Sequence, residues 1–313
     1  MINYNSKIFV AGHKGLVGSA IVRKLKEKGY KKIVVVDRKK LDLTNQTDVL
    51  KFLKNKKFDF IFIAAAKVGG IYSNLTYKAD FITENLQIQT NLIHGAYKCG
   101  IKKLIFLGSS CVYPKNCKQP IKEDYLLSGK LEETNDSYAV AKIAGIKMCQ
   151  SYNYQYKTNY ICLMPTNTFG PNDNYNDLNS HFFPALIKKI HNLKINKTNK
   201  ITLWGNGKPK REVIDVDDLA DACVFFMKKK TKHSLINIGT GKDYSIKFYL
   251  ELISNLILGR KNLKVKYDKS KPNGVMRKVM DVSLAKKYGW KAKLRLKDSI
   301  LRVYNSYIKE IKK

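Results

Sequence analysis

Tyr138 and Lys142 stand four residues apart in Tyr138-Ala139-Val140-Ala141-Lys142, a spacing that projects both from one face of a helix. A lysine held charged beside a tyrosine lowers the phenol's pKa. Such a phenol can give a proton to a carbonyl oxygen while the carbonyl carbon receives hydride. Ser109, in Gly108-Ser109-Ser110-Cys111-Val112-Tyr113-Pro114, can hydrogen-bond the same oxygen. A Tyr-x-x-x-Lys pair alone recurs by chance. It gains meaning only with a hydride donor's binding site and a serine at the end of a strand.

That binding site is legible near the start of the chain. Gly12-His13-Lys14-Gly15-Leu16-Val17-Gly18 directly follows the apolar run Lys7-Ile8-Phe9-Val10-Ala11 and opens a helical pattern through Ala20, Ile21 and Leu25. Gly12 suits a tight turn and Gly15 lets backbone approach a pyrophosphate. Gly18 allows close packing of helix on strand, and the helix N-terminus offers unpaired amides to phosphate. The spacing G-x-x-G-x-x-G implies a nicotinamide dinucleotide. At the end of the second strand, Asp37 suits a free ribose 2′-hydroxyl, whereas Arg38 and Lys39 would neutralise a 2′-phosphate. The residues leave NAD and NADP both open.

These groups need a scaffold. Apolar runs at 7–11, 32–36, 60–64 and 103–107 alternate with helical patterns, the signature of a parallel sheet covered on both faces. The fold class expected is α/β: a Rossmann-type doubly wound sheet with a smaller, interleaved C-terminal substrate domain. Residues 1–170 form the dinucleotide domain, to which a late strand near 235–241 returns, and 171–313 mainly the substrate domain. A fifth run, Tyr160–Met164, precedes Pro165. A long helix from about Tyr77 to Cys99 carries more apolar positions than one face can hold, which points to a homodimer interface as well as sheet packing.

Composition narrows the function. The 313 residues carry a formal charge of +34, yet of 59 basic residues only seven are Arg, and the lysines are scattered. That pattern argues against a nucleic-acid surface, where clustered arginine supplies bidentate contacts. No apolar run is long enough to span a membrane and the N-terminus lacks a signal-like core, so a cytoplasmic protein is expected. The six cysteines form no metal-ligand spacing, and no metal is expected.

Further segments extend these motifs: Ala64-Ala65-Ala66-Lys67-Val68-Gly69-Gly70-Ile71, Gly108 to Cys111, Tyr138 to Gly145, Met164-Pro165-Thr166-Asn167, Asn179-Ser180-His181, Trp204-Gly205, Arg211-Glu212 and Asn237-Ile238-Gly239-Thr240-Gly241. With them, essentially the whole chain resembles the GDP-L-fucose synthase family of extended short-chain dehydrogenases. The resemblance implies epimerisation of a GDP-4-keto-6-deoxy sugar at carbons 3 and 5, then reduction at carbon 4 with NADPH. It implies catalytic roles for Ser109, Cys111, Tyr138, Lys142 and His181, with Cys111 and His181 as the proton-transfer pair. It places His13, Lys14, Leu16, Val17, Arg38, Pro165, Thr166, Asn167, Thr168 and His181 at the cofactor with the glycine loop and Lys142. Lys189, Trp204, Arg211 and Asn273 fall to the GDP-sugar. The chain departs from the family's usual pattern at Lys189 (commonly Arg), Asn273 (Asp) and Phe169 (often Tyr).

Two rivals share the scaffold. One is a reductase or epimerase of another GDP-4-keto sugar, such as a 3,6-dideoxy sugar or a 6-deoxyheptose. The other is a cofactor-binding sensor, against which the intact Ser109, Tyr138 and Lys142 argue.

Overall fold

A computed structural model describes residues 2–177, 179–259, 263–268, 270 and 274–312. Among them a six-stranded parallel sheet runs β2-β1-β3-β4-β5-β9. Its strands are β1 (Lys7–Ala11), β2 (Lys32–Val34), β3 (Phe60–Ile63), β4 (Lys103–Leu107), β5 (Asn159–Pro165) and β9 (Leu235–Ile238). Both faces are buried, and successive side chains alternate between two cores. Phe9, Ile61, Ile63, Leu104 and Phe106 enter the core with α2 (Gln46–Lys56), α4 (Lys78–Lys98) and α5 (Asp136–Tyr156). Ile8, Val10, Phe60, Phe62 and Ile105 enter the core with α1 (Leu16–Glu27) and α7 (Val216–Lys228).

The strand order reverses direction at β1 and β3, which opens a crevice at their carboxyl ends. Gly12 lies just past β1 and Ala64 just past β3, so the glycine loop sits at that switch point. The late strand β9 lies at the edge of the sheet, beside β5. β2 is shorter than the run 32–36. It is an edge strand, and beyond Val34 the chain turns so that Asp37 reaches back to Lys14.

A second layer covers the other end of the crevice. It comprises β6 (Asn167–Phe169), β7 (Lys200–Trp204), β8 (Lys210–Asp215), β10 (Asp243–Ser245), β11 (Lys264–Asp268) and β12 (Arg277–Lys278), with α6 (Phe182–Ile195), α8 (Ile246–Leu258) and α10 (Leu296–Ile311). Strand β8 is its hub, pairing with β10, β12 and β6. A third apolar cluster built on Phe169, Phe183, Ile187, Tyr249 and Tyr304 holds these elements together. Short elements α3 (Ile71–Thr76) and α9 (Ser283–Lys287) complete the order. Asn273 lies outside the described residues.

Candidate active site

The glycine loop has the geometry of a dinucleotide cradle. Gly12 has φ of +88° and a Cβ there would lie 2.6 Å from the Ala65 amide nitrogen, so only glycine fits. A Cβ on Gly18 would lie 2.1 Å from the Gly12 carbonyl oxygen, which lets α1 start hard against the loop. Gly15 differs: a Cβ there would meet nothing nearer than that carbonyl, at 3.5 Å, so bare backbone faces outward. Gly15 is also the N-cap of α1 and no side chain caps the helix, leaving its first amides to an anion. These residues therefore fit a pyrophosphate.

Next to the cradle, Asp37 receives Lys14 Nζ at 2.7 Å and His13 Nε2 at 3.3 Å. The Lys14 hydrogen bond is the main reason its carboxyl sits below the ordinary carboxylate pKa, against a partial opposing effect of burial. Arg38 is exposed and stands 3.7 Å from Glu84, which Lys67 also pairs. The two opposing signals read from Asp37 and Arg38 are thus both present, with the acid paired to Lys14 and His13 of the glycine loop.

At the carboxyl end of β4, Ser109 caps a short 3-10 turn, its Oγ accepting the Cys111 amide at 3.2 Å. Ser109 also hydrogen-bonds the Tyr138 hydroxyl. Tyr138 keeps some surface open to the cleft, with Phe81 edge-on at 6.4 Å between centroids. Burial nevertheless raises its pKa well above the ordinary phenol value; Cys111 adds to the rise and Ser109 works against it. Lys142 is buried, its Nζ 5.8 Å from the Tyr138 ring centroid, and donates to the Leu107 carbonyl at 2.8 Å. Burial lowers its pKa to about 8.

The expectation that Lys142 lowers the Tyr138 pKa is therefore corrected. The ammonium points to a backbone carbonyl, and loss of solvent favours the neutral form of both groups. What the pair retains is a protonated phenol, the form a proton donor requires.

Cys111 and His181 approach the same centre through a residue that no sequence motif marks. Lys278, at the end of β12, donates to Cys111 Sγ at 3.6 Å, and Asn135 Nδ2 donates to the same sulfur at 3.4 Å. His181 caps α6 and its residue surface opens to the cleft. Its imidazole is still hemmed in enough that burial lowers its pKa, and the Lys278 charge lowers it further. One ammonium thus stands beside both members of the pair. Lys278 is 167 residues from Cys111 in sequence, and a lysine among so many carried no distinguishing signal.

Of the residues expected at the sugar, Arg211 lies within electrostatic reach of Cys111 and Glu132, and burial lowers its pKa. Strand pairing sets it level with Lys278. Lys189 donates to the Thr202 carbonyl at 2.9 Å, two residues before Trp204, which is 46% exposed. Lys189, on α6, and Trp204, on β7, belong to the second layer. Of the residues expected at the cofactor, Thr166 Oγ1 and Asn167 Nδ2 donate to the Glu212 carbonyl at 3.2 and 2.8 Å, while Thr168 donates to the Thr166 carbonyl at 3.1 Å, and Pro165 ends β5. No group of three or more His, Cys, Asp or Glu able to hold a metal occurs among the described residues.

The described geometry has known counterparts. The family model for the NAD dependent epimerase/dehydratase family matches residues 8–239. The chain is 50% identical over 311 residues to GDP-L-fucose synthase 1 of Arabidopsis thaliana, covering 99% of this chain and 96% of that protein. It is 42% identical over 311 residues to the GDP-L-fucose synthase of Escherichia coli strain K12, covering 96% of each. The solved structure of the GDP-mannoheptose C4 reductase of Campylobacter jejuni with NADP bound matches with a TM-score of 0.88 at 39% identity, covering 98% of this chain and 100% of that one. The chain belongs to the NAD dependent epimerase/dehydratase family, and within it to the GDP-L-fucose synthases.

Proposed function

We propose that this protein converts GDP-4-keto-6-deoxy-D-mannose to GDP-L-fucose, inverting carbons 3 and 5 and reducing carbon 4 at the expense of NADPH. The observation that carries this reading is the pairing of Cys111 and His181 across one ammonium, Lys278, beside Ser109 and Tyr138. A simple ketone reductase needs the second pair alone. An enzyme that also inverts the flanking carbons needs proton acceptors and donors near them.

Carbons 3 and 5 flank the ketone, so their protons become acidic when charge on the ketone oxygen is stabilised. Ser109 and Tyr138 hold that oxygen by hydrogen bonds. Cys111 and His181 take and return the protons, the imidazole being neutral and so able to accept at pH 7. Tyr138 then hands its proton to the same oxygen during reduction, with Lys142 Nζ 5.8 Å from its ring. An NADPH held by its pyrophosphate on the Gly12–Gly18 cradle would supply hydride to carbon 4. Lys14 and Arg38 would hold the 2′-phosphate, Thr166 and Asn167 the nicotinamide side, and Lys189, Trp204 and Arg211 the GDP-sugar. NADP in the similar Campylobacter reductase supports the choice of cofactor.

Residues 1–170 with β9 serve the cofactor and 171–313 mainly the sugar. A homodimer across α4 and α5 would cover the exposed apolar side chains of α5, Val140 and Tyr154, and sedimentation at micromolar concentration tests it. No helix among the described residues is long and apolar enough to cross a membrane. The six cysteines are free thiols, which suits the reducing conditions of the cytoplasm.

The second reading, reduction of a related GDP-4-keto sugar, is favoured by similarity to the C4 reductase and by Lys189 where the family commonly has Arg. Incubation with GDP-4-keto-6-deoxymannose and NADPH, with NMR of the product, separates the two. GDP-L-fucose is expected; a product with carbons 3 and 5 uninverted would refute the epimerase half.

A further inference from the structure

Glu212 is fully buried on β8, next to Arg211, and no step above uses it. Its Oε1 accepts the Thr240 amide at 2.5 Å and the Gly241 amide at 2.6 Å, and its Oε2 accepts the Met280 amide at 2.7 Å. Gly239 must be glycine because a Cβ would lie 2.3 Å from Oε1. The motif Asn237-Ile238-Gly239-Thr240-Gly241 is thus a cradle for this carboxylate. Its own carbonyl receives Thr166 and Asn167 from the cofactor side.

Met280 is two residues beyond Lys278. Strand β12 is only two residues long and meets β8 only at Lys210 and Arg211. So short a strand cannot fix its own side chains. The chain leaving it is held from two sides: the Ile121 segment pairs with Val279 and Asp281, and Glu212 grips Met280. Burial raises the Glu212 pKa to about 7 despite its three amide donors. An acid therefore stands here at a cost that a neutral side chain would not incur.

We propose that Glu212 is a positioning residue: by gripping Met280 and the Thr240–Gly241 turn together, it sets where Lys278 stands between Cys111 and His181. The role rests on the reading of that pair as the proton-transfer groups. In Glu212→Gln one oxygen can still accept Thr240 and Gly241, but the amide nitrogen would face the Met280 N–H, donor against donor, and push β12 away.

The test reads Lys278 through the sulfur it touches and needs no sugar substrate. Intact protein is treated with iodoacetamide at a series of pH values, and alkylation of Cys111 and of Cys99 is followed by mass spectrometry of their separate tryptic peptides. A cation beside a sulfur favours the reactive thiolate. Alkylation of Cys111 at pH 7 should slow roughly five- to tenfold in Glu212→Gln, up to the limit set by Lys278→Met, while Cys99 is unchanged. Glu212→Asp, which keeps the charge on an arm one carbon shorter, should fall between and serves if the glutamine variant does not fold. Wild-type Cys111 reactivity in either folded variant, or equal change at Cys99, overturns the proposal. Failure of the NMR product assay with these shifts intact would instead overturn the substrate and leave the positioning role standing.

Discussion

Replacing Lys278 by methionine keeps the length of the side chain and removes its charge. The ammonium lies 3.6 Å from Cys111 Sγ. Two unit charges at that distance interact by about 1 kcal/mol if water screens them fully and by about 5 kcal/mol at an effective dielectric of 20. Lys278 is partly exposed, so a loss of about 1–3 kcal/mol is expected, or roughly 5- to 150-fold in the rate of proton abstraction. The assay is deuterium uptake at carbons 3 and 5 in heavy water by mass spectrometry, with NADPH consumption measured in the same samples. A second readout needs no substrate. Lys278 is one of the two causes that lower the His181 pKa; without it the protonated imidazole is less disfavoured, so the midpoint must move up. NMR titration of the imidazole follows that shift. Wild-type exchange together with an unmoved or lowered His181 midpoint would refute the electrostatic coupling through Lys278.

Inversion and reduction should separate by mutation. Cys111→Ser should yield reduced sugar lacking one or both inversions, whereas Tyr138→Phe should slow NADPH consumption by roughly two to four orders of magnitude with exchange persisting through Ser109; product NMR and absorbance at the nicotinamide band check both. Asp37→Asn removes the carboxylate that holds Lys14 and His13, so the ratio of kcat/KM for NADPH over NADH should rise, and an unchanged or falling ratio in steady-state kinetics counts against it. Asp173 is buried with Oδ2 unpartnered, and burial raises its pKa to about 7. The folded state then binds this proton more tightly than the unfolded chain, so its contribution to stability is present below about pH 4 and is lost as pH rises through about 7. Asp173→Asn should accordingly stabilise the protein by about 1–3 kcal/mol at pH 8 and by little at pH 4, as read from urea denaturation at both pH values.

Much of the site is legible in the amino-acid sequence because its signals are local. Gly12, Gly15 and Gly18 are constrained by a turn of seven residues, and Tyr138 and Lys142 by one turn of one helix; backbone geometry within a short segment is a property of the segment. The sheet follows for the same reason, since runs such as Phe60–Ile63 are apolar at every position only when both faces are covered. What tertiary structure alone decides involves distant residues and the medium between them. The Tyr138 pKa is raised and not lowered, because burial dominates and the nearby ammonium meets the Leu107 carbonyl, and burial is no property of a four-residue spacing. The roles of Lys278 and Glu212 are invisible among other lysines and glutamates. Their importance arises where β12 crosses β8 and brings chain positions far apart in sequence to within hydrogen-bonding distance of Cys111 and Met280. Charge acts through space and solvent, and only the folded chain specifies either.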